Sequence, residues 1–239
     1  MGVFSFEEID LDPIRVETGI RYDWTRTEPA YEDVDSDIGH VRQREFGSLS
    51  GSFGLLYDTR AGVTLGASVS RAFRTPDVNE LFSEGPHLAV YAFEVGNPSL
   101  EEEIGTGIDV FSRFHGESFH AELTGFTNLI NGYVFARDTG KLSRTLLPIY
   151  QFFGEDARFV GFEVAIDWVL SGPLKLEGVG SYVRGEIRAT GEPLPLVPPL
   201  QAGATIAYEP ADWFDRAESH YAAKQSSLGE FENATDGYA

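Results

Sequence analysis

The chain has no cysteine among its 239 residues, one methionine, three tryptophans, and 18 Lys and Arg against 38 Asp and Glu. Without cysteine there is neither a disulfide framework nor a thiolate metal site. The formal net charge of −20 excludes a nucleic-acid partner, which needs a basic face to neutralise phosphates. No run of about 18 apolar residues exists, so a transmembrane helix is not expected. The opening residues MGVFSFEEIDLDPIRVE lack the basic start, apolar core and small-residue cleavage site of a secretory signal, and read as carrying no export address. None of the five histidines forms a HExxH pair, and no GxSxG nucleophile elbow appears. The GTG at 105–107 falls inside an expected strand, where small residues serve packing rather than phosphate binding. An enzyme is therefore not expected.

Helical periodicity is almost absent, whereas alternation of period two recurs. In FEVAIDWVL, Phe162, Val164, Ile166, Trp168 and Leu170 share one face, with Glu163, Ala165 and Asp167 on the other. In IRVETGIRYDW, Ile14, Val16, Thr18, Ile20, Tyr22 and Trp24 oppose Arg15, Glu17, Gly19, Arg21 and Asp23. LQAGATIAYE repeats the pattern with Leu200, Ala202, Ala204, Ile206 and Tyr208. The alternation predicts about ten strands, near 2–10, 14–25, 43–58, 62–73, 101–113, 117–136, 148–170, 173–189, 199–209 and 213–225. An apolar composition of 42% excludes disorder.

The connections carry the next clue. Asp12-Pro13, TRAG at 59–62, HGES at 115–118, SGP at 171–173 and PAD at 210–212 are tight turns. Residues 26–42, 74–100, 137–147 and 190–198 are long links. Short and long alternate, which places all short turns at one end of the sheet and all long loops at the other. Outer-membrane barrels segregate their loops in this way, with short periplasmic turns and long extracellular loops. A strand of about 11 residues rising ~3.3 Å each and tilted ~45° covers roughly 25 Å, the height of the apolar band. Tyr57, Trp168, Tyr208 and Trp213 lie beside short turns, and Tyr22 and Trp24 at the long-loop end, as interfacial girdles would. Glu, Arg, Asp, Lys and His on the opposite face would not suit a dry core.

SRAFRTPDVNELF, from Ser70 to Phe82, resembles the segment of TonB-dependent outer-membrane receptors where a barrel strand rises into a large extracellular loop. Its continuation SEGPHLAVYAFEVGNPSLEEE is similar to the zinc-uptake receptors of that family. AELTGFTNLINGYVF, LPIYQFFGEDARFVGFEV and PLPLVPPLQAGATIAYEP resemble later barrel strands, and NATDGYA the start of the next one. The resemblance implies an all-β, antiparallel transmembrane barrel segment over residues 1–239, in the outer membrane of a Gram-negative bacterium. Nothing in the chain resembles the plug domain, the TonB box or the terminal aromatic strand. A full receptor of this kind has about 22 strands, so the expectation is an internal part of one barrel.

The resemblance further implies import of a scarce ligand, zinc or another metal, with energy relayed by the TonB complex through a plug. Outer-membrane lipid and a small ligand or metal ion are the remaining partners, and no resident cofactor is expected. A siderophore or cobalamin receptor of the same family, and a small structural or adhesive barrel without transport, are the alternatives. Among the histidines, His115 sits in a short turn, and His120 and His220 share strand faces with charged residues, as solvated side chains would. His40 and His87 differ, because each lies in a long loop rich in carboxylates. With Asp33, Asp35, Asp37 and Glu84 they offer the mixed imidazole and carboxylate set that suits zinc. The two loops share the hairpin of strands 43–58 and 62–73. Strands ~4.8 Å apart then put the loop bases on the order of 15 Å from each other, near enough for one site.

Overall fold

The computed structural model describes residues 1–239 except Arg60 and Phe231. Arg60 belongs to the tight turn expected at 59–62, and that position lies outside the described residues. Ten strands follow one another as antiparallel neighbours: β1 (Gly2–Leu11), β2 (Ile14–Thr27), β3 (Arg44–Asp58), β4 (Val63–Arg74), β7 (Glu103–His115), β8 (Phe119–Leu142), β9 (Pro148–Ser171), β10 (Leu174–Ile187), β11 (Gln201–Tyr208) and β12 (Asp215–Ala222). Between β4 and β7 lie a one-turn helix α1 (Val78–Phe82) and two short strands, β5 (Glu84–His87) and β6 (Ala92–Val95). The sheet is open: among the described residues β1 and β12 do not pair with each other. No helix is long and apolar enough to cross a membrane, which says nothing about crossing by strands.

Register converts the period-two pattern into two chemically distinct faces, because directly opposite residues share a face. Ile14 pairs with Tyr57, Tyr57 with Leu65, and Val16 with Leu55. Leu123 pairs with Val164, Ala121 with Ile166, and Trp168 with Leu176, which opposes Ile206. The other face runs through Glu17, Arg21 and Asp23 on β2, Asp109 and Arg113 on β7, Glu122 on β8 and Glu163 on β9. Tyr57, Trp168 and Tyr208 all sit on the apolar face beside short turns, and the rings of Tyr208 and Trp213 are 5.4 Å apart. Val69, Ile108, Val110, Leu123, Phe162 and Ile206 are exposed on that face. So broad an uncovered apolar surface is rare on a soluble monomer and suits contact with lipid.

Buried apolar side chains gather instead at the long-loop end. Phe46, Leu81, Leu100 and Val134 form one cluster, with Phe82 and Phe152 against it. Phe135, Ala157, Ile187 and Leu194 form a second, with Tyr133, Phe159 and Val197. The link expected at 137–147 is shorter than its sequence suggests. β8 and β9 each run for 24 residues and stay paired beyond the wall, leaving residues 143–147 as the tip. The register slips between Ile130 and Tyr133, where Gly132 takes a left-handed φ of 67°. That bulge marks where the wall ends and the projecting ribbon begins.

Candidate functional site

The polar face is laced with ion pairs. Arg15 reaches Asp10 at 2.7 Å, Arg113 reaches Glu122 at 3.0 Å, and Arg216 reaches Glu177 at 3.2 Å. Arg21 is paired with Asp23, and Lys175 with Glu209. This face offers charge in compensated form, as a wall around a polar interior would.

At the long-loop end, residues 75–102 are fixed rather than draped. Asp77 caps α1 by accepting from the backbone N–H groups of Asn79 at 2.7 Å and Glu80 at 2.9 Å, while Glu80 accepts the Asp77 N–H at 2.8 Å. This reciprocal capping box lets five residues hold a helical turn. Arg74, the last residue of β4, donates to both Glu80 and Glu103. Glu103 is buried and also accepts the Val134 N–H at 2.7 Å. Arg44 on β3 donates to the carbonyls of Pro98 and Leu100. Leu81 is wholly buried between these anchors. The segment then forms the β5–β6 hairpin and lays β6 parallel to β9, pairing Phe93 with Ile149 and Val95 with Gln151. One loop thereby ties β3, β4, β7 and the β8–β9 ribbon together.

That hairpin carries His87, whose Nδ1 lies 2.8 Å from Glu94 Oε1 across its rungs. Glu84 is exposed at the other end of β5. In the 28–43 loop, Asp33 bridges to Val41 and accepts the Asp35 N–H at 3.0 Å. Asp35, Asp37 and His40 are exposed on it. His87 is thus partnered with Glu94, outside the expected set of His40, His87, Asp33, Asp35, Asp37 and Glu84. Among the described residues, no three His, Asp or Glu side chains are already gathered around one point.

A cleft of about 820 Å³ opens beside the ribbon, lined by Phe135, Arg137, Asp138, Tyr150, Glu192 and Glu232 among others. Arg137 is held between the rings of Phe135 and Phe153, each 5.2 Å away, and pairs with Glu155 at 3.0 Å. Its charge is neutralised, so the cleft is acidic. Tyr150 lies in the part of β9 beyond the wall. Burial pushes its phenol pKa up, and Asp138 and Glu232 add to the shift.

Several of these contacts escaped sequence reasoning. The lock of Arg74 on Glu80 and Glu103 had one legible signal, the Asp77…Glu80 spacing of a capping box. The pairing of His115 with His120 across the β7–β8 hairpin had none beyond the hairpin itself.

Residues 1–239 match the family described as TonB dependent receptor-like, beta-barrel. Among solved structures, the chain superposes on the copper transporter OprC with a TM-score of 0.84 at 21% identity, covering 99% of this chain and 37% of that one. A mutant ferric enterobactin receptor (PfeA) from Pseudomonas aeruginosa gives a TM-score of 0.70 at 18% identity, covering 99% and 35%. The FrpB iron transporter from Neisseria meningitidis gives 0.70 at 15%, covering 99% and 36%. At these identities the likeness is one of fold, and the chain spans little more than a third of each structure. The matched family, the uninterrupted antiparallel sheet and its lipid-suited face agree: the chain belongs to the TonB-dependent receptors, in their outer-membrane β-barrel.

Proposed function

We propose that the chain forms part of the barrel wall and ligand-capturing loops of an uptake receptor whose cargo is a metal ion or a cationic metal complex. The protein works in the outer membrane of a Gram-negative bacterium, and energy reaches it from TonB through a plug domain. One observation supports this above others: an acidic long-loop end mounted on a rigid, ion-paired frame. Many basic side chains of that end are engaged, with Arg44 on Glu101, Arg74 on Glu80 and Glu103, Arg137 on Glu155 and Arg188 on Asp156, while Arg42, Lys141, Arg144 and Lys224 are exposed without an ion pair among the described residues. An anionic ferric chelate would have to bind through those four dispersed cations, outnumbered by the carboxylates around them. A cation instead meets His87, Glu94 and the carboxylates of the 28–43 loop, and imidazole with carboxylate makes zinc the first ion to test.

The test is energised uptake of radiolabelled zinc by cells carrying the intact receptor, with and without TonB. Uptake that needs both proteins, and that falls on His87→Ala, supports the reading. Uptake of a ferric chelate but not of zinc or copper overturns the cargo assignment while leaving the family intact.

A further inference from the structure

At the opposite end of the wall, β7 and β8 close on a hairpin whose last rung sets His115 against His120. Both imidazoles stand on the polar face, exposed, with ring centroids 5.4 Å apart and edge to face. Directly opposite strand residues keep their Cβ atoms ~4.5–5.5 Å apart, within the span of a two-imidazole chelate. On the next strand, Asp167 lies directly opposite His120, and Glu177 opposite Asp167.

The rung is held from both sides. The His115 N–H donates to the Gly62 carbonyl at 2.9 Å, and the Gly116 N–H to the Phe119 carbonyl at 2.9 Å. On the apolar face of the same hairpin end, Phe114 and Phe119 lie 5.9 Å apart, and Phe119 meets Trp168 at 6.0 Å. These aromatics root the hairpin, so the backbone beneath the two imidazoles is fixed before any ligand arrives. His87 and His220 each already face a carboxylate, Glu94 and Glu218. His115 and His120 face each other instead, and the nearest cation on the neighbouring rung, Arg113, is paired with Glu122 at 3.0 Å.

We propose that His115 and His120 form a binding site for a borderline divalent transition-metal cation at the short-turn end of the polar face. Asp167 supplies a carboxylate oxygen by side-chain rotation, and water completes the coordination. Two imidazole nitrogens and one carboxylate oxygen suit zinc, copper or nickel, and disfavour calcium and magnesium, which take oxygen alone. With only three protein ligands, the ion is held exchangeably at the mouth through which cargo would leave. The site does not depend on the cargo assignment, since a receptor for another ligand would still possess it.

The test uses the intact outer-membrane protein in detergent, in a His40→Ala/His87→Ala background that removes the loop imidazoles. Zn²⁺ is titrated against a chromophoric chelator, and Cu²⁺ bound to the same protein is examined by electron paramagnetic resonance. His115→Ala and His120→Ala should each weaken Zn²⁺ binding by at least about tenfold, a loss that even outer-sphere changes produce. The double variant should lose little more than either single one. The copper spectrum should change from two coupled nitrogens to one. His220→Ala should leave both readouts unchanged, and heat-modifiable gel mobility shows that each variant is folded. Parental zinc affinity in both single variants overturns the site, as does a loss confined to one of the two histidines.

Discussion

Replacing Ile166 by arginine tests the assignment of the two faces most directly. Ile166 stands five residues above Ser171, the end of β9 at its short turn. At ~3.3 Å per residue and a tilt of ~45°, that is about 12 Å, the middle of a ~25 Å apolar band. Its register neighbours are Ala121 and Gly178, which offer the guanidinium no acceptor. An arginine facing lipid at the midplane costs about 2–4 kcal/mol, or roughly 30- to 900-fold in the folding equilibrium. Ala165, one residue away, faces the ion-paired side opposite Glu122. Ala165→Arg gains a carboxylate neighbour and should stay within about 0.5 kcal/mol of the parent. The assay is equilibrium folding of the intact receptor into lipid vesicles over a urea series, scored by heat-modifiable mobility. Equal losses at both positions would refute the two-faced wall, and a loss at Ala165 alone would reverse it.

The lock on residues 75–102 yields further expectations. Glu103→Gln should loosen the segment by on the order of 1–3 kcal/mol, the cost of a buried group short of its partner. The loss stays moderate because Arg74 is 43% exposed and keeps Glu80. Faster proteolytic nicking between residues 83 and 95 is the readout, and parental resistance would show that Glu103 does not anchor the loop. Asp77→Ala removes the α1 cap and should cost about 1 kcal/mol in the same assay. Gly96→Ala should open the segment too, because its Cβ would lie 2.8 Å from the Leu81 carbonyl and the Phe82 nitrogen. Gly85→Ala, with nothing within 4 Å of the added carbon, should be silent. In zinc uptake, Glu94→Gln should match the loss from His87→Ala. His40→Ala should lower uptake only if the 28–43 loop closes onto the hairpin, which a zinc-dependent cross-link between cysteines placed at Ile38 and Leu88 would report.

The wall was legible because one signal repeated in every strand. Alternation such as Val164–Ile166–Trp168 against Glu163–Ala165–Asp167 leaves a single register that keeps charge out of lipid, and a slip by one residue would invert the whole strand. Turns between adjacent strands were equally plain in Asp12-Pro13 and Ser171-Gly172-Pro173. What stayed hidden lay where that constraint lapses. Beyond the bilayer no face must be apolar, so nothing in Arg137–Leu142 distinguished a paired ribbon from a loop. The pairing there follows from Phe135 opposite Phe153 and Ala136 opposite Phe152, contacts that alternation alone does not specify. The histidines show the same limit. Their loop positions drew His40 and His87 together on distance alone, whereas the chain gives His87 a carboxylate inside its own hairpin, seven residues away. A local partner forms with little loop closure to offset, and a cross-loop partner must order two long segments first. His115 and His120 obey that rule: five residues apart on one hairpin, they meet because the turn is short. Placing the turn at 115–118 left His115 outside the strand. Moving its start by one residue, to Gly116, makes it the last rung of the wall.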